Sequence, residues 1–187
     1  MRLFLAINFP ADVRTALWQS IEPLIRKNFP IKWVGVDQLH LSLKFLGDVE
    51  AERLPEMKTA SGRAVQGTRP LTLAVGEGGF GAFPDLHRPR VVWAAVTAEP
   101  ALELLQHRVE QEFGPLGFPP EGRPFRPHIT LGRATRNAAP GDFGGLEAEL
   151  SRLAFSASVV ADRLDLMEST LQRSGAVYQV VHHERLS

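Results

Sequence analysis

The sequence predicts an α+β protein with a mainly antiparallel sheet, forming a single domain over residues 1–187. Two observations carry that expectation. Helical and strand-like stretches mix without the strict β-α-β-α alternation of a doubly wound sheet, and the chain finishes on two strand-like runs joined by a turn. The pattern His, apolar, hydroxyl, apolar also occurs twice, as His40-Leu41-Ser42-Leu43 and His128-Ile129-Thr130-Leu131, once in each half. In a strand, alternate side chains share a face. Each copy would therefore bury its aliphatic side and present an imidazole, with a hydroxyl about 7 Å along. Two such strands side by side would gather two imidazoles and two hydroxyls, a set suited to a phosphate. The repeat suggests an internal duplication expressed mainly in the fold, since the halves share little sequence outside it.

From the N-terminus, Arg2 to Phe9 alternates Leu3, Leu5 and Ile7 with Phe4 and Ala6, as a central strand apolar on both faces would. Pro10 suits the first position of a helix. Val13, Leu17, Ile21 and Leu24 then space a helix to about Lys27, with Pro23 marking a bend or an early end. Lys32-Trp33-Val34 reads as a short strand, and Leu39 to Leu46 as the first motif strand, ended by Gly47. Glu50 to Val65 reads as a helix, Leu71 to Val75 as a strand, Gly76 to Pro84 as a glycine-rich loop on the cleft side, and Arg90 to Thr97 as a strand. Pro100 opens a helix with Leu102, Leu105, Val109 and Phe113 on one face, stopped by Gly114-Pro115. A proline-rich loop over Gly117 to Pro127 leads into the second motif strand, His128 to Arg133. A short amphipathic helix within Gly141 to Leu153 comes next, then strands over Phe155 to Val160, Arg163 to Leu171 and Ala176 to Arg185. Gln172-Arg173-Ser174-Gly175 forms the turn between the last two.

Composition narrows the function classes. The hydrophobic share of 44% and the charged share of 22% are those of an ordinary globular chain. No run approaches the ~20 apolar residues that span a bilayer, and Asn8, Pro10 and Asp12 interrupt the N-terminal apolar run too early for a signal peptide. The expectation is a cytoplasmic protein with no membrane partner, read as a monomer. There is no cysteine, so disulfides and thiolate metal sites are excluded. A net charge of +0 argues against extensive duplex binding. Local cations remain: Arg123, Arg126, Arg133 and Arg136 occur with no acidic residue among them, as suits one or two phosphates.

With both motifs and their flanks read, the chain resembles the two-histidine phosphoesterases. Within them it is similar to the bacterial and archaeal RNA 2′,3′-cyclic phosphodiesterases, historically named 2′-5′ RNA ligases. The resemblance covers nearly the whole chain, including Arg2 to Ile7, Leu39 to Gly47, Gly79 to Pro84, Arg90 to Trp93, Phe125 to Arg133, and Glu168 to Leu171 with Gly175 and Tyr178. Ser42 stands where many members carry Thr and offers the same hydroxyl. The resemblance implies a bilobal fold: two mainly antiparallel sheets with flanking helices, related by a pseudo-two-fold, with the active site in the cleft between lobes. It implies no ATP and no metal. It also implies an RNA bearing a 2′,3′-cyclic phosphate terminus, opened to a 2′-phosphate.

Opening a cyclic phosphodiester needs a base for water and an acid for the leaving ribose oxygen, and two imidazoles can hold opposite protonation states near neutrality. The resemblance assigns His128 as proton acceptor and His40 as proton donor. Ser42 and Thr130 would hold the non-bridging oxygens. Arg126 precedes His128 by two and shares its face, although Pro127 disturbs the strand start. Arg133 would face away from His128 in a flat strand, unless a bend at Gly132 redirects it. One of these arginines is expected on the phosphate or RNA backbone, against the plain reading of a solvated cation. Phe45 and Phe80 offer faces for base stacking, with core packing the alternative. His87, His107, His182 and His183 read as surface or packing residues. Zinc is disfavoured, because neither motif supplies more than one good ligand. A small cyclic nucleotide or a tRNA-splicing product is the alternative substrate, and a non-catalytic RNA-binding module the alternative class.

Overall fold

Alternation and helical spacing in the sequence resolve, in a computed structural model, into nine strands and four α-helices among the described residues, 1–172 and 175–187. In chain order these are β1 (Arg2–Asn8), α1 (Ala11–Ile25), β2 (Ile31–Trp33), β3 (His40–Asp48), α2 (Leu54–Val65), β4 (Leu71–Phe83), β5 (Val91–Val96), α3 (Pro100–Phe113), β6 (His128–Ala134), α4 (Leu146–Ser151), β7 (Ala157–Ala161), β8 (Arg163–Gln172) and β9 (Gly175–Arg185). Short 3-10 turns precede β3, α2 and α4. The expected turn between the last two strands falls partly outside the described residues, which omit Arg173 and Ser174. Its flanks close the hairpin, with Gln172 opposite Gly175.

The strands lie in the order β7-β4-β5-β6-β3-β1-β8-β9, with β2 added on β6, and neighbouring strands pair antiparallel. This is the α+β, duplicated architecture expected. One half is β3-β1-β8-β9 and the other β6-β5-β4-β7, so the motif strands β3 and β6 stand at the inner edge of each half. The two expected sheets run together there through one residue pair, Leu41 opposite Ile129.

Burial explains the layering. Leu3, Leu5 and Ile7 of β1, Leu41 and Leu43 of β3, and Ile129 and Leu131 of β6 are buried in one core with Leu17 and Ile21 of α1, Met57 and Ala60 of α2, and Leu102, Val109 and Phe113 of α3. Each fully buried Leu or Ile contributes about 1.5–3 kcal/mol of transfer free energy. The helices therefore cover one face of the sheet. The opposite face carries a second, smaller cluster of Phe4, Ala6 and Met167 with Tyr178 against it, and the motif side chains.

One expectation is corrected. Gly76 to Pro84 is not a separate loop: β4 continues to Phe83, with its register against β5 broken between Val75 and Phe80. The glycines serve close approach within the sheet. Gly76 takes φ 82°, and a Cβ there would lie 2.5 Å from the Phe155 carbonyl oxygen. A Cβ on Gly81 would strike the Trp93 ring. Glycine inside a strand marks such bulges and contacts as readily as it marks loops.

Candidate active site

The site is built where β3 meets β6. Extending the antiparallel register by one residue on each side of the Leu41–Ile129 pair sets His40 beside Thr130 and Ser42 beside His128. The two imidazoles thus stand at opposite corners of a four-residue square and the hydroxyls at the other two. In a regular ladder such diagonal neighbours are about 7–8 Å apart, a span that a phosphate between them would occupy.

Both motif strands then bulge. Against β1, β3 loses register at Leu43–Lys44, and both residues are buried on the helix side. Against β5, β6 loses register between Thr130 and Gly132, and Leu131 and Gly132 are both buried. An extra residue in a strand reverses the facing of every residue beyond it. Phe45 and Arg133 are consequently turned to the same face as the histidines. The bend envisaged at Gly132 is this bulge. Only glycine fits there: a Cβ would lie 2.5 Å from Ile31 Cγ2 and 3.0 Å from Trp33 Cε3 on β2. On β3 the corresponding residue is Lys44, whose ammonium is buried and paired with Glu110 of α3. It also donates to the Pro119 carbonyl at 2.9 Å.

The imidazoles are held alike. His40 Nδ1 lies 2.7 Å from the Gln38 carbonyl, and His128 Nδ1 lies 2.6 Å from the Arg126 carbonyl. A carbonyl only accepts, so each Nδ1 carries a hydrogen and each Nε2 is the exchangeable position. His40 Nε2 is 3.1 Å from Ser42 Oγ. Burial lowers both imidazoles from the ordinary value, opposed by the backbone hydrogen bond, and Arg133 lowers both further through its charge. His40 is lowered additionally by His128. Arg133 therefore acts electrostatically on both rings.

The two walls differ. Around His40 are Phe4, with ring centroids 5.0 Å apart, and Tyr178, edge-on at 5.1 Å; Phe4 also meets Phe45 at 5.8 Å. Asn8 lies opposite His40 in register and donates to Asp165 Oδ2 at 2.7 Å. Around His128, Phe83 stands edge-on at 4.9 Å and packs in turn against Trp93.

The structure therefore brings together His40, Ser42, His128, Thr130, Phe45 and Arg133. Phe45 is 59% exposed, so core packing is not its role. Phe80, by contrast, packs against the core. Arg126 is exposed and enters the geometry through its carbonyl. His183 lies opposite Asp165 on β8, and His182 is engaged by Glu184 at 2.7 Å. Sequence reading did not single out Phe4, Asn8, Phe83 or Trp93. Phe4 had a signal, since it alternates out of phase with Leu3 and Leu5 beside a motif strand. Among the described residues no three His, Asp or Glu side chains cluster as metal ligands, and no helix is long and apolar enough to cross a membrane.

The profile described as the 2′-5′ RNA ligase superfamily matches residues 10–173. The chain is 31% identical to the RNA 2′,3′-cyclic phosphodiesterase of Thermotoga maritima over 182 residues, covering 97% of this chain and 94% of that one. It superposes on TT0787 of Thermus thermophilus with a TM-score of 0.78 and 30% identity, covering 100% of this chain and 98% of that one. It superposes on LigT of Escherichia coli, solved with 3′-AMP, with a TM-score of 0.75 and 28% identity over 100% and 98% of the two chains. The chain belongs to the 2′-5′ RNA ligase superfamily.

Proposed function

We propose that this chain hydrolyses the 2′,3′-cyclic phosphate end of RNA to a 2′-phosphate by acid–base catalysis between His40 and His128. The observation that carries the reading is the duplicated anchoring of the two rings, each Nδ1 committed to a backbone carbonyl and each Nε2 left exchangeable. The names of its relatives point to the same reaction. His128 Nε2 takes a proton from water as the water oxygen bonds to phosphorus. The P–O3′ bond breaks, and O3′ receives the proton of His40 Nε2. Solvent then resets both rings. Ser42 and Thr130 donate to the non-bridging oxygens, where negative charge gathers, and Arg133 neutralises part of it. Phe45 gives the terminal base a stacking surface. Where an RNA 5′-hydroxyl replaces water, the same proton transfers join two ends through a 2′-5′ bond, with no ATP. The reading takes the chain as a monomer acting in the cytoplasm.

Incubation with EDTA and a short RNA ending in a 2′,3′-cyclic phosphate, with identification of the product, tests this. A 2′-phosphate formed without metal or ATP is the expected result. A 3′-phosphate would reverse the leaving group. No turnover without an added divalent metal would overturn the mechanism, and binding with no turnover at all would favour a non-catalytic RNA-binding module.

A further inference from the structure

We propose that Lys32 binds the phosphodiester on the 5′ side of the terminal nucleotide, so that the cleft selects a single-stranded RNA end over a free cyclic mononucleotide. This deepens the reading above and rests on it.

The placement of Lys32 comes from the short strand β2. It pairs with β6 so that Lys32 lies directly opposite Arg133. Its neighbours Ile31 and Trp33 turn the other way, against the position a Cβ on Gly132 would fill. Lys32 therefore faces the histidine side and is exposed. Like charges directly opposite across an antiparallel pair destabilise it. Among the described residues no acidic side chain lies within salt-bridge distance of either Lys32 or Arg133. The arrangement becomes favourable once anions lie along it. A cyclic mononucleotide brings one phosphate, which the histidines, hydroxyls and Arg133 already engage. A second phosphate exists only when the chain continues in the 5′ direction.

The opposite wall fits the rest of that nucleotide. Lys32 Nζ is 3.4 Å from where a Cβ on Gly175 would sit, so the β8–β9 tip from the other half reaches it. The Gln38 side chain donates to the Ala176 carbonyl and ties that tip to the segment entering His40. Met167, Ser169 and Leu171 share the face of Tyr178 by register. Leu171, at the tip, is 76% exposed. Phe45, Phe4 and Tyr178 form a continuous aromatic run, with successive ring centroids 5.8 and 5.2 Å apart, and Leu171 lies on the same face further along β8. Bases against one wall and phosphates along the other is the division single-stranded RNA requires.

The experiment compares the unmodified chain with Lys32→Ala and Lys32→Arg on two substrates, a 2′,3′-cyclic-phosphate-ended oligoribonucleotide and a 2′,3′-cyclic mononucleotide. The expected result for Lys32→Ala is a KM on the oligonucleotide raised about 10-fold with kcat kept. The ratio of kcat/KM on oligonucleotide to mononucleotide falls with it. The slope of log kcat/KM against log salt loses about 0.7 on the oligonucleotide, and Lys32→Arg restores most of both. Equal effects on the two substrates, or an unchanged ratio and salt slope, would overturn the inference while leaving the proposed reaction standing. An unmodified chain that turns over neither substrate would remove the proposed reaction, and this inference with it.

Discussion

Phe45 and Arg133 occupy equivalent positions in the two halves of the sheet, each five residues beyond a motif histidine and each brought to the histidine face by a bulge. One backbone device, used twice, places an aromatic ring on one wall and a guanidinium on the other. The duplication thus yields a symmetric pair of imidazoles flanked by an asymmetric pair, an aromatic ring and a guanidinium. A phosphate bearing a nucleoside on one side has the same asymmetry.

Phe45→Ala is expected to weaken binding of the terminal nucleotide by about 1–3 kcal/mol, the usual worth of one base stacked on an aromatic ring. That is roughly a 5- to 150-fold rise in KM, with kcat altered far less. Steady-state kinetics on the oligonucleotide measures it, and a fall confined to kcat would place Phe45 elsewhere in the mechanism.

Arg133→Met is expected to move the pH–rate profile. Burial lowers both imidazoles and the Arg133 charge lowers them further. In the proposed mechanism the catalytic form has His128 neutral and His40 protonated. The rate therefore rises on the acid side and falls on the alkaline side, with the whole bell displaced to the acid side of ordinary imidazole because both rings are lowered. Removing the cation takes away one of the lowering effects, so both limbs and the bell shift toward alkaline pH. Proton NMR titration of the two rings in the variant would show the same upward movement, and limbs that stay in place would mean Arg133 does not sense either ring.

Gly132→Ala is expected to destabilise the protein and to impair the site, since the new methyl would meet Ile31 and Trp33 on β2. Overpacking of this kind costs about 1–3 kcal/mol. Denaturant unfolding gives the stability, and the KM for substrate reports whether Arg133 has shifted. A variant as stable and active as the parent would show that the bulge tolerates a side chain.

Lys44→Met is expected to cost about 3–5 kcal/mol of stability, because it strands the buried Glu110 carboxylate. The double variant Lys44→Met, Glu110→Gln should recover much of the loss. Urea unfolding of the parent, Lys44→Met, Glu110→Gln and the double variant measures it. Additive losses would mean the pair is not coupled.

The class of fold, the duplication, the motif strands and the four central side chains were legible in the sequence because each rests on local alternation or on a repeated pattern. Less legible were features that depend on a neighbouring strand. The bulges at Lys44 and Gly132 reverse the facing of Phe45 and Arg133, and alternation alone carries no sign of them. Gly76 to Gly81 read as a loop because glycine signals both turns and close contacts, and the contact partners, Trp93 on the next strand and Phe155 far along the chain, are set by the fold. Lys32 looked like any strand cation until its register opposite Arg133 was known. The carbonyls of Gln38 and Arg126 are invisible to any reading of side chains, yet they set which imidazole nitrogen is exchangeable.

The most direct test of the paired-histidine account is the pH dependence of kcat/KM for the parent, His40→Ala and His128→Ala on a cyclic-phosphate-ended RNA. The account predicts a bell for the parent and a loss of about 10²–10⁴-fold for each variant. The residual activity of His128→Ala should lack the acid limb, and that of His40→Ala the alkaline limb. A parent rate that rises through neutral pH and never falls, or a variant that keeps both limbs, would contradict it.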